Sequence, residues 1–217
     1  MVLPCATEAV LILPCSAEKA RGGGTETGQT VLELLGHALA DQLVNARRSI
    51  SVQAQVDERQ LLPAWRRYRG TFYGAAGNRL SGVVAASVPT LILSGGYGLV
   101  LGEEPIGYYD RRFLLHDWPR DLIEKCLIAA VRSLGASAVV AFCAQTTAYA
   151  KVVRRASWSK DGIRAYLVSP DMGGRGGAQV FEPRALGQAI IAFLDGQLNE
   201  NWNSTVGVSA KLESIAR

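Results

Sequence analysis

Two carboxylates and one thiol in this sequence could carry acid–base or nucleophilic chemistry: Glu104, Asp110 and Cys15. Glu104 and Asp110 lie within 103–110, where glycine and proline fix an irregular path around carboxylates and tyrosines. Carboxylates in a cleft act as general acids or bases, or bind an amine or the edge of a nucleobase. Cys15 is a candidate nucleophile, although a thiol that follows a strand, with no histidine nearby, is more often simply packed. For Glu103, a solvated surface position is the simpler interpretation.

A glycine-rich turn after a short apolar run marks a second candidate element. Residues 91–93 are apolar, and they are followed by Ser94, Gly95, Gly96, Tyr97 and Gly98. A short apolar run bounded by turn residues is typical of a buried, parallel strand. Ligands of open α/β sheets bind just beyond the carboxyl ends of such strands, and glycines let them approach the backbone. We therefore expect Ser94, Gly95 and Gly98 to border a pocket; a sharp turn without a ligand is the alternative.

Cationic and aromatic residues extend the predicted pocket. Small polar residues and a lysine follow the first apolar run, 9–13, in an arrangement that could bind an anion. We expect three residues to contact phosphate: Ser16, Lys19 and Arg69. We expect the aromatic face for a stacked base to come from Tyr73, Tyr97 or Tyr109. Thr146 either contacts a ligand or, like Thr147, caps the helix that follows.

Composition restricts the class of protein. The chain has 217 residues, of which 48% are hydrophobic, enough for one sizeable core. Its net charge of +4 and its pI of about 9.0 permit contact with phosphates or nucleic acid without requiring it. No apolar run approaches the ~20 residues of a membrane span, and the N-terminal run is too short for a secretory signal, so we expect a cytosolic protein. The four cysteines have no CxxC spacing, which argues against zinc; we assign neither a metal nor a cofactor and leave the oligomeric state open.

Alternating strand and helix patterns predict the elements that position these residues. Short apolar runs or period-two alternation predict strands at 9–15, 49–56, 91–94, 138–142 and 163–169. Apolar residues at helical spacing predict helices at 30–46, 75–86, 118–134, 148–155 and 184–198. Residues after 199 are polar and receive no element. We expect an α/β fold with a largely parallel or mixed central sheet flanked by helices, in a single domain that spans 1–217.

Four stretches of the sequence resemble motifs of the YaaA family, the peroxide stress proteins. Residues 11–19, LILPCSAEK, resemble a strand followed by a loop that contains serine and lysine. Residues 68–73, YRGTFY, resemble the family's RGDVY element, and residues 146–152, TTAYAKV, are similar to its late AS-x-EY-x-K element. Residues 93–100, LSGGYGLV, are close to LSGLYGLL and form the most specific of the four resemblances.

The resemblance continues beyond that last motif, since Glu104, Ile106 and Tyr109 follow it at the spacing of the family's acidic, aliphatic and tyrosine positions. Thr71 and Ala148 depart from the motifs, and the chain is identified as a short, diverged member of the family. The resemblance implies an α/β protein linked to oxidative stress, intracellular iron and DNA protection, with DNA binding proposed for the family. Families with a similar strand and loop act on modified nucleobases.

Three functions are open from the sequence. The first is a pocket for a nucleobase, a nucleotide or DNA, with cleavage of an N-glycosidic bond as its reaction. The second is a biosynthetic enzyme that uses the same pocket for a non-nucleotide small molecule, since a fold does not fix a function. The third is a non-catalytic stress protein that binds DNA or sequesters iron. We favour the first; whether it turns over a substrate stays open, because the sequence shows no nucleophile–base pair.

Overall fold

A six-stranded mixed sheet forms the centre of the protein. The computed structural model describes residues 1–24, 27–85 and 88–216, with side chains for all of these except 81–85. The strands are β1 (Ala9–Pro14), β2 (Asp57–Pro63), β3 (Thr90–Ser94), β4 (Gly98–Leu101), β5 (Pro105–Tyr108), β6 (Ala138–Phe142), β7 (Arg164–Asp171) and β8 (Ser209–Ile215). The sheet order is β4-β3-β1-β6-β7-β8, in which the inner four strands are parallel and the outer two antiparallel to their neighbours. Strands β2 and β5 form a separate antiparallel pair. The predicted α/β class with a mixed sheet is confirmed.

Helices flank this sheet. They are α1 (His37–Ala54), α2 (Ala64–Arg67), α3 (Thr71–Ala85), α4 (Leu122–Ser133), α5 (Ala148–Arg155) and α6 (Ala178–Leu194). Helix α3 packs along α6, and α1 packs on α4, which also contacts α5. Among the described residues, no helix combines the length and the apolar character needed to cross a membrane.

Three of the inner strands, β1, β3 and β6, are buried along almost their whole length because helices cover them. Residues 9–13 of β1, all of β3 and all of β6 are buried, which explains why their sequences are continuous apolar runs rather than alternating ones. Strand β1 lies between the other two, with Ile12 beside both Leu91 and Ala141. The carboxyl ends of the three strands therefore lie side by side at one edge of the sheet.

The strand predicted at 49–56 is wrong, because these residues continue α1 to Ala54. The buried residues of α1 are Leu43, Ala46, Ile50 and Ala54, at intervals of three and four residues that follow the helical period. Val52, which the alternating pattern placed on a buried strand face, is 82% exposed. Over so short a stretch, a period of two residues and a period of 3.6 residues both place Ile50 and Ala54 on the buried side. The residues continue as a helix because they directly follow the helical residues before them.

Several predicted boundaries also move. Strand β6 and helix α5 have the predicted bounds, whereas the helix predicted at 30–46 is a 3₁₀ turn, Val31–Leu34, followed by α1. Helix α4 starts at Leu122 rather than 118, and α6 starts at Ala178 rather than 184. Helix α3 corresponds to the helix predicted at 75–86, whose last residue lies outside the described residues. Strands β2, β4, β5 and β8 were not predicted, and β8 lies in the polar tail.

Candidate functional site

The edge formed by the carboxyl ends of β1, β3 and β6 brings a thiol together with tyrosine and serine hydroxyls. Cys15 follows β1 and donates its backbone N–H to the carbonyl of Leu93 at 3.0 Å, which extends the pairing with β3. Tyr149, in the first turn of α5, places its hydroxyl 3.2 Å from Cys15 Sγ. The ring of Tyr149 stacks on Phe113 with centroids 5.2 Å apart, which fixes its position. The half-buried Cys15 thiol is thus held at an edge of the kind where open α/β sheets bind ligands.

Three buried hydroxyls form a closed ring at this edge, which we call the hydroxyl cluster: Tyr68, Ser94 and Tyr109. Tyr68 Oη donates to Ser94 Oγ at 3.0 Å, the two tyrosine oxygens lie 2.9 Å apart, and Ser94 Oγ lies 3.0 Å from Tyr109 Oη. Burial raises the pKa of both tyrosines well above 10, so both are neutral at physiological pH. Each hydroxyl can donate to the next around the ring, so the cluster joins the loops that carry its members and needs no ligand to complete it.

The tyrosine faces predicted for base stacking are used within the protein. Tyr73 donates its hydroxyl to the carbonyl of Pro14 at 2.9 Å, and Tyr97 donates to Glu58 at 2.7 Å. Tyr73 and Tyr97 are each 7% exposed and Tyr109 is fully buried. Tyr97 and Tyr109 are thus packed inside the protein, whereas Tyr73 is packed but also lines one of the clefts described below.

Lys19 and Asp110 lie beside the hydroxyl cluster. The Lys19 Nζ sits 4.4 Å from the centroid of the Tyr109 ring, a cation–π geometry. Burial lowers the pKa of Lys19, and the charges of Cys15 and Asp110 oppose that shift. Lys19 is half-buried and Asp110 is exposed. The structure thus brings together four of the predicted residues, namely Cys15, Lys19, Asp110 and Tyr109, with Ser94 in the cluster below them.

Of the clefts that open at this edge, two adjoin each other at shared residues. The first, about 450 Å³, we call the cysteine cleft; its lining includes Cys15, Phe72, Cys143, Tyr149, Glu182 and Leu186. The second, about 530 Å³, we call the arginine cleft; its lining includes Arg21, Trp65, Arg66, Arg69, Tyr73 and Asn78. Glu18 and Gly70 line both clefts, so the two meet at these residues. Both volumes lie in the range of small-molecule sites.

The arginines of the arginine cleft make no ion pair with any described residue. Arg21 lies 4.9 Å from the ring of Tyr108, and Arg66 lies 6.0 Å from the ring of Trp65. Arg69 is exposed. Glu18, at the junction of the two clefts, is the acidic residue of this lining. The cleft therefore carries an excess of positive charge.

Ser16 lines the cysteine cleft and packs against the loop that carries Arg69. Its Oγ accepts the backbone N–H of Glu18 at 3.2 Å, which shapes the turn after β1. The space beside Gly70 is filled by the same Oγ, which lies 2.8 Å from where a Cβ of residue 70 would stand. Ser16 therefore stays within reach of a ligand in the cysteine cleft and away from the lining of the arginine cleft.

Glu104, predicted as a catalytic carboxylate, instead holds buried backbone in place. Its Oε2 accepts the N–H groups of Val31 at 2.8 Å and Leu101 at 3.0 Å, and its Oε1 lies 3.1 Å from Arg47. Only 2% of the residue is exposed. Burial raises the pKa of Glu104, while Arg47 and the two N–H donors oppose that rise. The contacts use both carboxylate oxygens, so the expected catalytic role is corrected to a structural one.

Gly95 and Gly98 are needed for packing inside the protein. A Cβ at Gly95 would overlap the backbone of Arg111 and Arg112, and a Cβ at Gly98 would lie 2.8 Å from the side chain of Ile123 and 2.9 Å from that of Trp118. We expected a ligand to lie against the backbone at these glycines, but other residues of the protein occupy that space. These two glycines are therefore removed from the ligand-binding set.

Thr146 and Thr147, in the turn before α5, have different surroundings. Thr147 caps the helix, since its Oγ1 accepts the N–H of Ala150 at 3.3 Å, and it also lines the cysteine cleft. Thr146 is exposed and is absent from that lining. Tyr68, Cys143 and Tyr149 belong to the site although the sequence did not single them out. Tyr68 and Tyr149 do lie within two of the stretches that resemble YaaA motifs.

No cluster of three or more histidine, cysteine or acidic residues with the arrangement of a metal site occurs in 1–24, 27–85 and 88–216. No protein-family model matches the chain, and no curated protein sequence matches it significantly.

Proposed function

We propose that the protein binds a nucleotide, either free or as part of DNA, across the arginine cleft and the cysteine cleft. The observation that supports this best is that a cleft with three arginines, none of them in an ion pair with a described residue, adjoins a cleft with largely apolar walls. A nucleotide has the same division, because its phosphate is anionic and its base is flat and uncharged. The phosphate would lie against the arginines and the base near Cys15.

The arginine cleft supplies the charge and the donors that a phosphate requires. Arg21, Arg66 and Arg69 together present guanidinium N–H groups that have no carboxylate acceptor among the described residues. Guanidinium groups bind phosphate in a bidentate geometry that a lysine cannot match. The half-buried Trp65 in the same lining adds an aromatic face next to these charges.

Under the proposal, the walls of the cysteine cleft enclose the base. Phe72 and Leu186 form apolar parts of its wall, and polar groups of Ser16 and Glu182 interrupt that wall. A mainly apolar pocket with a few polar groups is the usual form of a site that orients a flat ligand. Cys15 lies in this lining, where the base would be closest to the thiol.

We assign the chemistry on such a ligand to Lys19, Asp110 and Cys15. Cys15 lines the cysteine cleft, whereas Lys19 and Asp110 lie beside the hydroxyl cluster and line neither cleft. Cleavage of the N-glycosidic bond adds water to the sugar carbon and returns a proton to the departing base. In the reaction we propose, Asp110 accepts the proton of the water and Lys19, whose pKa is lowered by burial, donates a proton to the base. Cys15 is the nucleophile of the alternative, covalent route.

The resemblance to YaaA motifs supports the same ligand class. Cys15, Ser16 and Lys19 belong to the first of these motifs, and Tyr68 and Arg69 belong to the second. Under the proposal, DNA protection in oxidative stress would be the setting in which the pocket acts.

Equilibrium titration tests the binding. Wild type, Arg69→Ala and Arg48→Ala are each titrated with the four deoxynucleoside monophosphates and with a single-stranded oligonucleotide. Arg69→Ala should weaken binding about tenfold or more, since it removes a charged hydrogen bond to phosphate. Arg48→Ala removes the same charge from an exposed position on α1, where Arg48 contacts Asn45 of its own helix, and should change nothing.

Salt dependence and turnover complete the test. Binding constants should fall with salt, and Arg69→Ala should reduce the logarithmic slope by about 1. Release of free base from a bound nucleoside or oligonucleotide, followed by chromatography, should fall about a hundredfold in Asp110→Asn. A protein that binds neither nucleotides nor DNA at low salt would contradict the proposal.

A second function is favoured by the separate apolar wall of the cysteine cleft. A biosynthetic enzyme for a non-nucleotide small molecule could use the cysteine cleft alone, with Cys15 and Tyr149 as its reacting groups. This function predicts that Arg69→Ala leaves binding and turnover unchanged unless the substrate is anionic.

A further inference from the structure

Glu182 is a carboxylate in the lining of the cysteine cleft, and no partner for it occurs in the described part of the chain. It lies in the second turn of α6, is half-buried, and forms no hydrogen bond or ion pair with any described residue. Burial alone raises the pKa of Glu182, so no neighbouring charge compensates the desolvation of its carboxylate. Glu104 shows the opposite arrangement, in which two N–H groups and an arginine satisfy the buried oxygens.

The helix backbone next to Glu182 is interrupted by a proline. Pro183 follows it inside α6 and has no N–H, so the carbonyl of Gln179, four residues earlier, lacks its usual helical donor. Gln179, Glu182 and Pro183 all line the cysteine cleft. This side of the cleft therefore carries a carboxylate that pairs with no described residue, next to a helical turn that lacks one N–H donor.

We propose that Glu182 selects the base in the cysteine cleft, and that the base it selects is guanine. The inference rests on the proposed nucleotide function and specifies its ligand. An ionised carboxylate has acceptors only, and its two oxygens match two adjacent N–H donors. Of the four DNA bases, guanine alone has two such donors side by side, the ring N1–H and the 2-amino group. Adenine, cytosine and thymine each place an acceptor beside their donor on that edge, which would face a carboxylate oxygen.

The selection works through the cost of an unpaired acceptor. A site built to hydrogen-bond a donor rejects an analogue that lacks it more strongly than an apolar pocket rejects a change in size, because its own polar group is left unpaired. Hypoxanthine keeps N1–H and lacks the 2-amino group, so it isolates one of the two contacts. The comparison of GMP with IMP therefore measures the role of Glu182 without changing the phosphate, the sugar or the ring shape.

The experiment is a calorimetric titration of wild type, Glu182→Gln and Glu8→Gln with GMP, IMP and AMP. Wild type should bind GMP about tenfold or more tightly than IMP or AMP. Glu182→Gln keeps the size of the side chain but turns an N–H₂ group toward the base, so GMP affinity should fall about tenfold and the preference over IMP should disappear. Glu8 is exposed at the opposite end of β1, so Glu8→Gln removes the same charge and should keep both the affinity and the preference.

The outcomes separate this inference from the proposed function. If all three nucleotides bind with similar affinity in wild type, or if Glu182→Gln keeps the preference for GMP, the selection by Glu182 is wrong and nucleotide binding stands. If no nucleotide binds, both proposals fall. Thermal unfolding of Glu182→Gln should match wild type, because the side chain forms no hydrogen bond or ion pair with the described residues; a large loss of stability would assign Glu182 a structural role instead.

Discussion

At the scale of single residues, the four cysteines differ in solvent exposure, and this difference identifies the accessible thiol of the site. Cys5 is exposed and Cys15 half-buried, whereas burial raises the pKa of Cys126 and Cys143 to about 12. Alkylating agents react with the thiolate, so iodoacetamide should modify Cys5 and Cys15 in the native protein and spare the other two until it unfolds. Peptide mass spectrometry over time measures all four rates.

Cys5 also serves as the internal control for ligand protection. A saturating concentration of GMP should slow the alkylation of Cys15, because the base would cover the cysteine cleft, and should leave the rate at Cys5 unchanged. A Cys15 thiol that stays unreactive while Cys143 reacts would mean that the cleft opens toward α6 rather than toward β1.

Glu104 gives a prediction that separates a structural carboxylate from a catalytic one. Glu104→Gln should lower the free energy of unfolding by about 3 kcal/mol or more, because it breaks a buried pair with Arg47 while the surrounding backbone stays the same. Urea denaturation measures the loss. The neighbouring Glu103 bonds only the indole N–H of Trp65 at an exposed position, so Glu103→Gln should change stability by less than about 1 kcal/mol.

Nucleotide binding provides the second readout for the same variant. Under conditions where Glu104→Gln is fully folded, it should bind GMP as wild type does. Weakened binding by a folded variant would restore a ligand role for Glu104. The sequence could not make this distinction, because two of the three partners of Glu104, Val31 and Arg47, lie far from it in the chain, and only the fold brings them together.

At the scale of elements, the turn between β3 and β4 depends on Gly98. Its φ is +74°, and an added Cβ would lie 2.8 Å from Ile123 and 2.9 Å from Trp118. Gly98→Ala should therefore cost about 1–2 kcal/mol for the left-handed backbone and about 1–3 kcal/mol more for overpacking. Chemical denaturation measures the sum.

Gly135 is the matched control for the backbone part of this cost. Its φ is +69°, and no atom lies within 4 Å of an added Cβ, so Gly135→Ala should show the backbone cost alone. Equal losses in the two variants would mean that the contacts of Trp118 and Ile123 yield without cost, and that the glycine-rich turn has room which a ligand could use.

The elements that the sequence predicted well are those in which one signal dominates. Strand β6 is a continuous apolar run and α5 begins at a threonine cap, and both have their predicted bounds. The stretch 49–56 fits two periods at once, and β8 has the composition of a loop. Strand β8 forms because residues 209–215 pair with the backbone of β7 from Ala165 to Asp171. That partner lies elsewhere in the chain, so the local sequence of 209–215 does not indicate a strand.

At the scale of the whole molecule, the small β2–β5 sheet is joined to the large sheet through buried polar groups. The fully buried Arg67 donates to the carbonyls of Ala20, Gly22, Gln60 and Ile106, and so connects the loop after β1 with both strands of the small sheet. The adjacent Tyr68 enters the hydroxyl cluster with Ser94 at the end of β3. Separating the two sheets would leave all these groups without partners in the interior.

The molecule should therefore unfold in one transition, as the prediction of a single domain requires. Far-UV circular dichroism follows the helices, and the fluorescence difference between wild type and Trp65→Phe follows the segment next to β2. Superimposable urea curves from the two signals are expected, since one continuous core includes Ile106 of the small sheet and Ile12 of the large one. A fluorescence change at lower urea would show that the small sheet detaches first. The arginine cleft would then be lost before the cysteine cleft, because Trp65, Arg66 and Arg69 lie directly after β2.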